Sequence, residues 1–422
     1  MNNYFTRTVE EQQQVLQAAE GRIGLPAQAI EKDLWVTTIL QIVFTLPFAD
    51  KLIFKGGTSL SKVGKHISRF SEDIDLAVDR SLFGLEGDLT KKQIKKLRKE
   101  SSVFVREDFY TALSDAITQY GLDALCTIEP EQDGEGDNTY PEPRKIWITY
   151  KSVIQGELDY LKPVVMLEIG ARSLSEPYKL NKVSSLVEEN FPTIQTTLVD
   201  TDVATAVAGK TFLEKVFLLH ELFSVEGHGI NANRKSRHLY DLYQMMDKDF
   251  AIAAVKDDEL WETIRHHREI FTSVKDMDYT PDVRKRIVLI PRKDIISAWE
   301  KDYAEMLVNM IYGSNKPTFN QIMEKMQMPK QIAPRYRTTY FNHTMGGGYT
   351  AGYYSYFWSE VLDADGYQAF KETGNIFNQE VADKFRYELL EKGGHEHPMN
   401  LYVNFRGHKP QTKALIDQMN LK

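Results

Sequence analysis

A short apolar run, Leu52-Ile53-Phe54-Lys55, halts at Gly56-Gly57, passes through a Thr-led stretch to His66, and resumes at residue 71 as the alternating string Ser-Glu-Asp-Ile-Asp-Leu-Ala-Val. Period-two alternation marks a half-buried strand, and paired glycines ahead of a helical stretch mark a turn. Residues 52–78 therefore predict strand, glycine turn, helix and strand. On such a strand Asp73 and Asp75 share one face, about 7 Å apart along the backbone, while Ile74 and Leu76 enter the core. Two carboxylates so placed can share a hard cation. Mg²⁺ takes oxygen ligands and keeps positions open for substrate phosphates, which suits nucleotidyl transfer. The glycines offer backbone N–H groups to triphosphate oxygens at a helix start. An isolated Asp-x-Asp is more often a solvated edge-strand pair; its union with the turn and helix singles out this segment.

Around it the chain reads as mixed α and β. Thr8-Val9-Glu10-Glu11 has the form of a capping box ahead of a helix, and a second helical pattern runs from Ala27 to Phe48 with Glu31, Lys32 and Asp33 on its opening turns. A long polar helix is expected over 89–120, and a turn-rich connector over 129–145. The stretches 145–153 and 163–171 read as strands, giving a sheet of at least four. Residues 203–313 turn helical, and the prolines of 313–334 mark the expected boundary. The helix over 89–120 carries Lys91, Lys92, Lys95, Lys96, Arg98 and Lys99. Two readings of that cluster stand: a solvated face, or an electrostatic footing for a polyanion.

Several of these strings resemble one family. Lys55-Gly56-Gly57-Thr58-Ser59-Leu60 with Arg69-Phe70-Ser71-Glu72-Asp73-Ile74-Asp75-Leu76 is similar to the first motif of the AbiEii/AbiGii toxin nucleotidyltransferases, within the DNA polymerase beta-like nucleotidyltransferase superfamily. Glu31-Lys32-Asp33 resembles an upstream signature of that family. Residues 211–222, centred on Lys215, resemble its second motif, and 236–246, with Arg237 and Asp241 at i and i+4, its third. Trp299-Glu300-Lys301-Asp302-Tyr303 and Met306 resemble its closing helix, so the likeness covers roughly residues 1–325.

The resemblance implies an α+β fold: a nucleotidyltransferase core with a mixed sheet over residues 1–200, then a helical domain over 201–328 that completes the active site. It implies Mg²⁺ held by Asp73 and Asp75. NTP would be bound through Gly56, Gly57, Thr58, Ser59, Arg69, Ser71 and Arg237. Lys215 would neutralise phosphate charge, and Asp241 would complete the site from the helical domain. Without the resemblance, Lys215 reads as a helix-surface lysine and Arg237–Asp241 as a surface ion pair. A later strand commonly supplies a third carboxylate in the superfamily; Glu168, alone among apolar residues, is the candidate, though its facing is not fixed by sequence. The implied activity is NMP transfer from NTP to tRNA or another RNA, by a toxin with an AbiEi-like antitoxin, in a toxin–antitoxin or abortive phage-defence system. A catalytically silent nucleotide- or RNA-binding module is the alternative.

The last fifth of the chain differs. Lys and Arg total 52 against 60 Asp and Glu, a net charge of −8, yet residues 331–422 hold ten basic and ten acidic residues, so the whole −8 lies before them. Sixteen of the chain's 47 Phe, Trp and Tyr lie there too. Residues 333–422 resemble the carboxy-terminal end of dipeptidyl carboxypeptidases and thimet-oligopeptidase-type zinc peptidases, whose substrate loop maps to His343, Tyr349 and Tyr356. The His-Glu-x-x-His zinc helix is missing from the sequence, so that hydrolytic chemistry is not expected. A mostly helical appendage over 329–422 is expected. It packs its aromatics on the helical domain, or forms an interaction surface, or is a peptide-binding remnant. A single Cys126, no apolar run near the roughly 18 residues that span a bilayer, and a polar amino terminus read as a cytoplasmic protein without membrane partners.

Overall fold

The Thr8 hydroxyl accepts from the Glu11 N–H at 3.2 Å, and the Glu11 carboxylate accepts from the Thr8 N–H at 2.9 Å, so α1 (Val9–Ile23) starts at the expected capping box. Helix α2 (Ala27–Val43) ends earlier than its apolar pattern suggests, because Pro47 disfavours helical backbone at Leu46. The computed structural model describes residues 3–134, 140–154, 156, 161–311, 316–327 and 348–419. The chain divides into two compact units, Met1–Met328 and Pro329–Lys422.

In the first unit, the described residues form one mixed sheet of seven strands: β1 (Leu52–Lys55), β2 (Asp73–Val78), β3 (Cys126–Pro130), β4 (Arg144–Tyr150), β5 (Val164–Gly170), β6 (Tyr178–Asn181) and β7 (Val203–Ala206). Their spatial order is β3-β4-β5-β2-β1-β7-β6. β2 runs parallel to β5 and antiparallel to β1; β1 runs parallel to β7. The short helix α3 (Gly56–Lys62) joins β1 to β2, as the sequence predicts. Strands β6 and β7 escape sequence reading because four-residue segments have too little periodicity to separate strand from helix.

One face of the sheet carries a core shared with α2, α4 (Lys91–Phe104) and α5 (Tyr110–Gln119), in which Ile74, Leu76, Leu97, Val105 and Phe109 are buried. α4 and α5 are linked by a π-helical turn over Val105–Phe109. Between β6 and β7 lies α6 (Leu186–Asn190). A second core joins α7 (Ala208–Ser224), α8 (Arg237–Met245), α9 (Asp249–Lys256), α10 (Asp258–Phe271), α11 (Ile296–Asn309) and α12 (Phe319–Gln327), with Trp299 and Tyr303 almost fully buried. Helix α12 falls inside the expected boundary at 313–334; Phe319, Ile322 and Met323 join this core, so the division between units comes after Met328.

In the second unit, helices span Tyr354–Glu372, Gln379–Phe385, Pro398–Arg406 and Lys413–Gln418. Its interior is small. Tyr402 donates to Asp365 at 2.7 Å, and Arg406 forks onto Glu372 at 2.7 and 2.8 Å. Tyr354, Phe357 and Phe377 are exposed, whereas Tyr402 and Phe405 are buried. The Tyr349 and Tyr356 hydroxyls lie 3.1 Å apart; His343 lies outside the described residues. Among the described residues, no helix is long and apolar enough to cross a membrane.

Candidate active site

The face of the sheet opposite the α2–α4–α5 core carries a lateral row of charge. Register places Lys145 (β4) beside Glu168 (β5), Glu168 beside Asp75 (β2), and Asp75 beside Lys55 (β1). Neighbouring residues in register project to the same side, so Asp73, Asp75 and Glu168 share one surface. That surface floors a cleft of about 420 Å³ whose other walls come from α7, α8 and α10. Glu168 is ion-paired to Lys145 at 3.2 Å.

The glycine turn is built against this row. Gly56 has φ +79°, and a Cβ there would fall 1.9 Å from Asp75 Oδ2. A Cβ at Gly57 would fall 2.4 Å from Arg69 Nη2. Glycine at 56 is thus required both by backbone conformation and by the close approach of Asp75. Thr58 and Ser59 do not line the cleft. Thr58 Oγ1 donates to the Asp73 carbonyl at 2.5 Å and sits 2.8 Å from Ser71 Oγ, while Ser59 Oγ donates to the Gly56 carbonyl at 2.9 Å. The Thr58 hydroxyl thus braces the turn against β2, and the Ser59 hydroxyl closes the turn on itself. Ser71 does line the cleft.

Asp73 and Asp75 have no ion-pair partner among the described residues. Burial first, then Glu72 and Asp75, push the Asp73 carboxyl up to about 6. Burial likewise raises Asp75, with Lys55 opposing and Glu168 reinforcing. A divalent cation between these two carboxylates would relieve both the desolvation and the repulsion, so the pair fits Mg²⁺. Among the described residues no group of three or more His, Cys, Asp and Glu is arranged to hold a metal ion. The fit is to two carboxylates, with phosphate oxygens and water supplying the remaining ligands.

Behind the cleft wall lies a buried charge cluster that differs from sequence expectation. Asp241 is fully buried and is not among the cleft-lining residues. Its carboxylate accepts a fork from Arg69, 2.6 Å from Nε and 2.8 Å from Nη2, and pairs with Lys215 at 3.0 Å. The expected i,i+4 pair with Arg237 does not form, since a guanidinium fork from Arg69 occupies both oxygens. Arg69 lines the cleft, with its guanidinium committed to Asp241. Lys215 also lines the cleft, with burial lowering its affinity for a proton and Asp241 opposing. Its Nζ lies 3.2 Å from His238 Nδ1. Burial and then the charges of Lys215 and Arg237 hold His238 neutral, so Nδ1 accepts from the lysine.

Arg237 faces the cleft and has no hydrogen-bond or ion-pair partner among the described residues. Lys55, which sequence reading left out of the candidate set, shares this property. Its only sequence signal is its place one residue before the glycines; strand pairing, which no local pattern reveals, sets it beside Asp75. Asp302 of α11, from the closing motif, accepts from the N–H groups of Arg234 at 2.6 Å and Ser236 at 2.9 Å, which fixes the entry to α8 and hence Arg237. Arg234 in turn pairs with Glu72 at 2.5 Å.

Glu31, Lys32 and Asp33 lie outside the cleft lining and tie three separate pieces to α2. Glu31 accepts from Ser152 Oγ at 2.5 Å and Val153 N–H at 2.8 Å. Lys32 pairs with Glu72, next to Asp73, and donates to the Lys162 carbonyl at 3.1 Å. Asp33 accepts from Lys62 at 2.6 Å and from the Leu186 N–H at 2.7 Å.

Comparison with known proteins bears on both units. Residues 38–325 match the family model described as nucleotidyl transferase AbiEii toxin, type IV TA system. Residues 312–421 match peptidase family M3. Over 82 residues the chain is 48% identical to oligopeptidase A of Salmonella typhimurium, covering 19% of this chain and 12% of that protein. Over 100 residues it is 41% identical to dipeptidyl carboxypeptidase of Escherichia coli, covering 24% and 14%. The chain thus spans only a small part of these peptidases' length. Among solved structures, MenT4, a nucleotidyltransferase toxin of Mycobacterium tuberculosis, aligns over 71% of this chain and 88% of its own, with a TM-score of 0.40 and 15% identity.

Proposed function

We propose, from the premise that this chain belongs to the AbiEii nucleotidyl transferase toxin family, that it transfers NMP from an NTP to an RNA acceptor, with tRNA the leading candidate, in the cytoplasm. One observation carries the reading: two carboxylates without an ion-pair partner among the described residues, Asp73 and Asp75, stand on one strand face against a glycine turn, beside Lys55 and Arg237, which likewise pair with none of the described residues. Asp73 and Asp75 would hold Mg²⁺, and the metal when bound supplies charge neutralisation for the phosphates. The acceptor hydroxyl oxygen bonds to the α-phosphorus, the bond from that phosphorus to the bridging oxygen breaks, and pyrophosphate leaves with the electron pair. Glu168, in register with Asp75, accepts the hydroxyl proton. Lys215 and Arg237 contact phosphate oxygens from the helical side, and the buried Asp241 positions Lys215.

Purified protein incubated with each labelled NTP, Mg²⁺ and total RNA should transfer label to RNA, and Asp73→Ala should abolish it. Transfer with no NTP would instead leave a nucleotide-binding module. The family's type IV toxin–antitoxin description supports a cognate antitoxin as partner; that this antitoxin is AbiEi-like, and that the pair acts in abortive phage defence, is part of the proposal.

The basic helix α4 is proposed as an RNA contact. Lys91, Lys92, Lys95 and Lys96 are exposed, while Arg98 donates to the Tyr140 carbonyl at 2.8 Å and Lys99 lies over the Tyr140 ring. Reversing the four exposed lysines should weaken RNA binding and reduce its log–log salt slope by about 3. Filter binding from 50 to 300 mM salt, on the order used for such slopes, measures this; an unchanged slope removes α4 from the interface.

The second unit is proposed to be dispensable for transfer. A chain ending at Met328 should retain the activity and the thermal midpoint of the first unit, because the three hydrophobic clusters of its described residues close within it. Loss of solubility, activity or antitoxin binding in that truncation would show instead that the peptidase-like segment is required.

A further inference from the structure

We infer that Lys55 is a further catalytic residue, contacting the β- and γ-phosphates of the NTP and holding the pyrophosphate as it departs. The inference rests on the nucleotidyl-transfer reading above and adds a residue to it. Most cations lining the cleft are already committed to carboxylates: Arg69 and Lys215 to Asp241, Arg172 to Glu142, and Arg268 to Glu221. Lys55 and Arg237 are the cleft-lining Lys and Arg side chains without a hydrogen-bond or ion-pair partner among the described residues. An ammonium left partnerless in a cleft walled by five carboxylates is held where its charge is available to an incoming anion.

Position narrows the anion to the leaving end of the substrate. Lys55 is the last residue of β1 and directly precedes Gly56 and Gly57, the turn whose backbone lies against Asp75. Its backbone is extended, at φ −141° and ψ −166°, so its side chain continues the alternation of β1 onto the cleft side of the sheet. Antiparallel register then sets it beside Asp75, at the opposite end of the row from Lys145 and Glu168. The row therefore divides the reaction. Glu168 serves the acceptor hydroxyl at one end, and Lys55 meets the phosphates at the other.

As the bond between the α-phosphorus and the bridging oxygen breaks, its electron pair moves onto pyrophosphate, and negative charge there grows. A cation that binds this group more tightly in the transition state than in the bound substrate accelerates the step. A lysine suits the role, as a compact charge on a flexible stem that can follow the departing group.

Inhibition of transfer by added pyrophosphate reads this contact directly. Lys55→Ala and the length-preserving Lys55→Met should weaken pyrophosphate inhibition by roughly 10- to 100-fold and lower kcat/KM for NTP by a similar factor. Lys55→Arg should recover most of both. Thermal melts of each variant separate these losses from misfolding, and Lys55→Met keeps the test open should the alanine variant not fold. Wild-type pyrophosphate inhibition in folded Lys55→Ala and Lys55→Met would overturn the assignment while leaving nucleotidyl transfer standing, as expected if Lys55 only balances Asp75. A wild-type protein that transfers no NMP from any NTP would overturn the underlying reading, and this assignment with it.

Discussion

Replacing Asp73 with Asn should cut NMP transfer on the order of 10³-fold or more while leaving the protein at least as stable as wild type at neutral pH. The two halves of that result have one cause. Without metal, Asp73 is a carboxylate held mostly out of water near Glu72 and Asp75, and its proton affinity rises to about 6. In the unfolded chain the same group titrates near 4. Between about pH 4 and pH 6 the folded state therefore keeps a proton that the unfolded state has lost. The sign follows: metal-free stability falls as pH rises through this window and then levels off, by on the order of 1–3 kcal/mol. Asn carries no charge to desolvate, so the variant should lose this dependence. Melting curves at pH 4.5 and 7.5, with and without Mg²⁺, provide the check. Wild type should gain stability from Mg²⁺ at the higher pH and Asp73→Asn much less. Equal pH profiles and equal Mg²⁺ responses would show that Asp73 is neither strained nor a metal ligand.

Asp241→Ala should have the largest effect on folding, a loss of about 3–5 kcal/mol, because it strands two buried cations at once. Arg69 and Lys215 are 2% and 6% exposed, and Asp241 is the only carboxylate with which they pair in the described residues. Burial by itself would raise the Asp241 carboxyl; Arg69, then Lys215, overcome it and hold the group well below the usual carboxylate range. A depressed carboxyl contributes stability above the unfolded value near pH 4 and loses it as pH falls through the folded one. Urea titrations should show a wide gap between wild type and variant at pH 7 that narrows below pH 4. A surface i,i+4 pair with Arg237 would instead have cost only about 0.3–0.5 kcal/mol. A small cost at pH 7 would therefore sink the buried-cluster account.

These two aspartates also show what the sequence carries and what it withholds. The disposition of Asp73 and Asp75 is legible because a strand's period of two and a glycine turn are local facts, written in adjacent residues. Glu168 is legible in part: an acid isolated in an apolar run is conspicuous, but its place beside Asp75 depends on a parallel pairing of β2 with β5 across almost a hundred residues of chain. The partner of Asp241 is not legible at all. Local spacing offers Arg237, and the fold supplies Arg69, 172 positions away. Thr58 and Ser59 mislead in the opposite way. Their hydroxyls fit a phosphate loop by type, yet Thr58 ties the turn to β2 and Ser59 closes the turn on the Gly56 carbonyl.

The ties made by Glu31, Lys32 and Asp33 have a practical consequence for anyone mapping this protein by mutation. One helical turn of α2 secures the chain after β4, the residue preceding Asp73, and the end of α3 together with the start of α6. A saturation screen scored by growth would return all three positions beside Asp73 and Asp75, with no distinction between them. The map drawn from such a screen would enclose an active site one helix too large. Titrating substrate separates the groups: cleft residues shift apparent affinity or turnover in otherwise intact protein, whereas these three reduce the amount of folded protein and leave the behaviour of each remaining molecule unchanged.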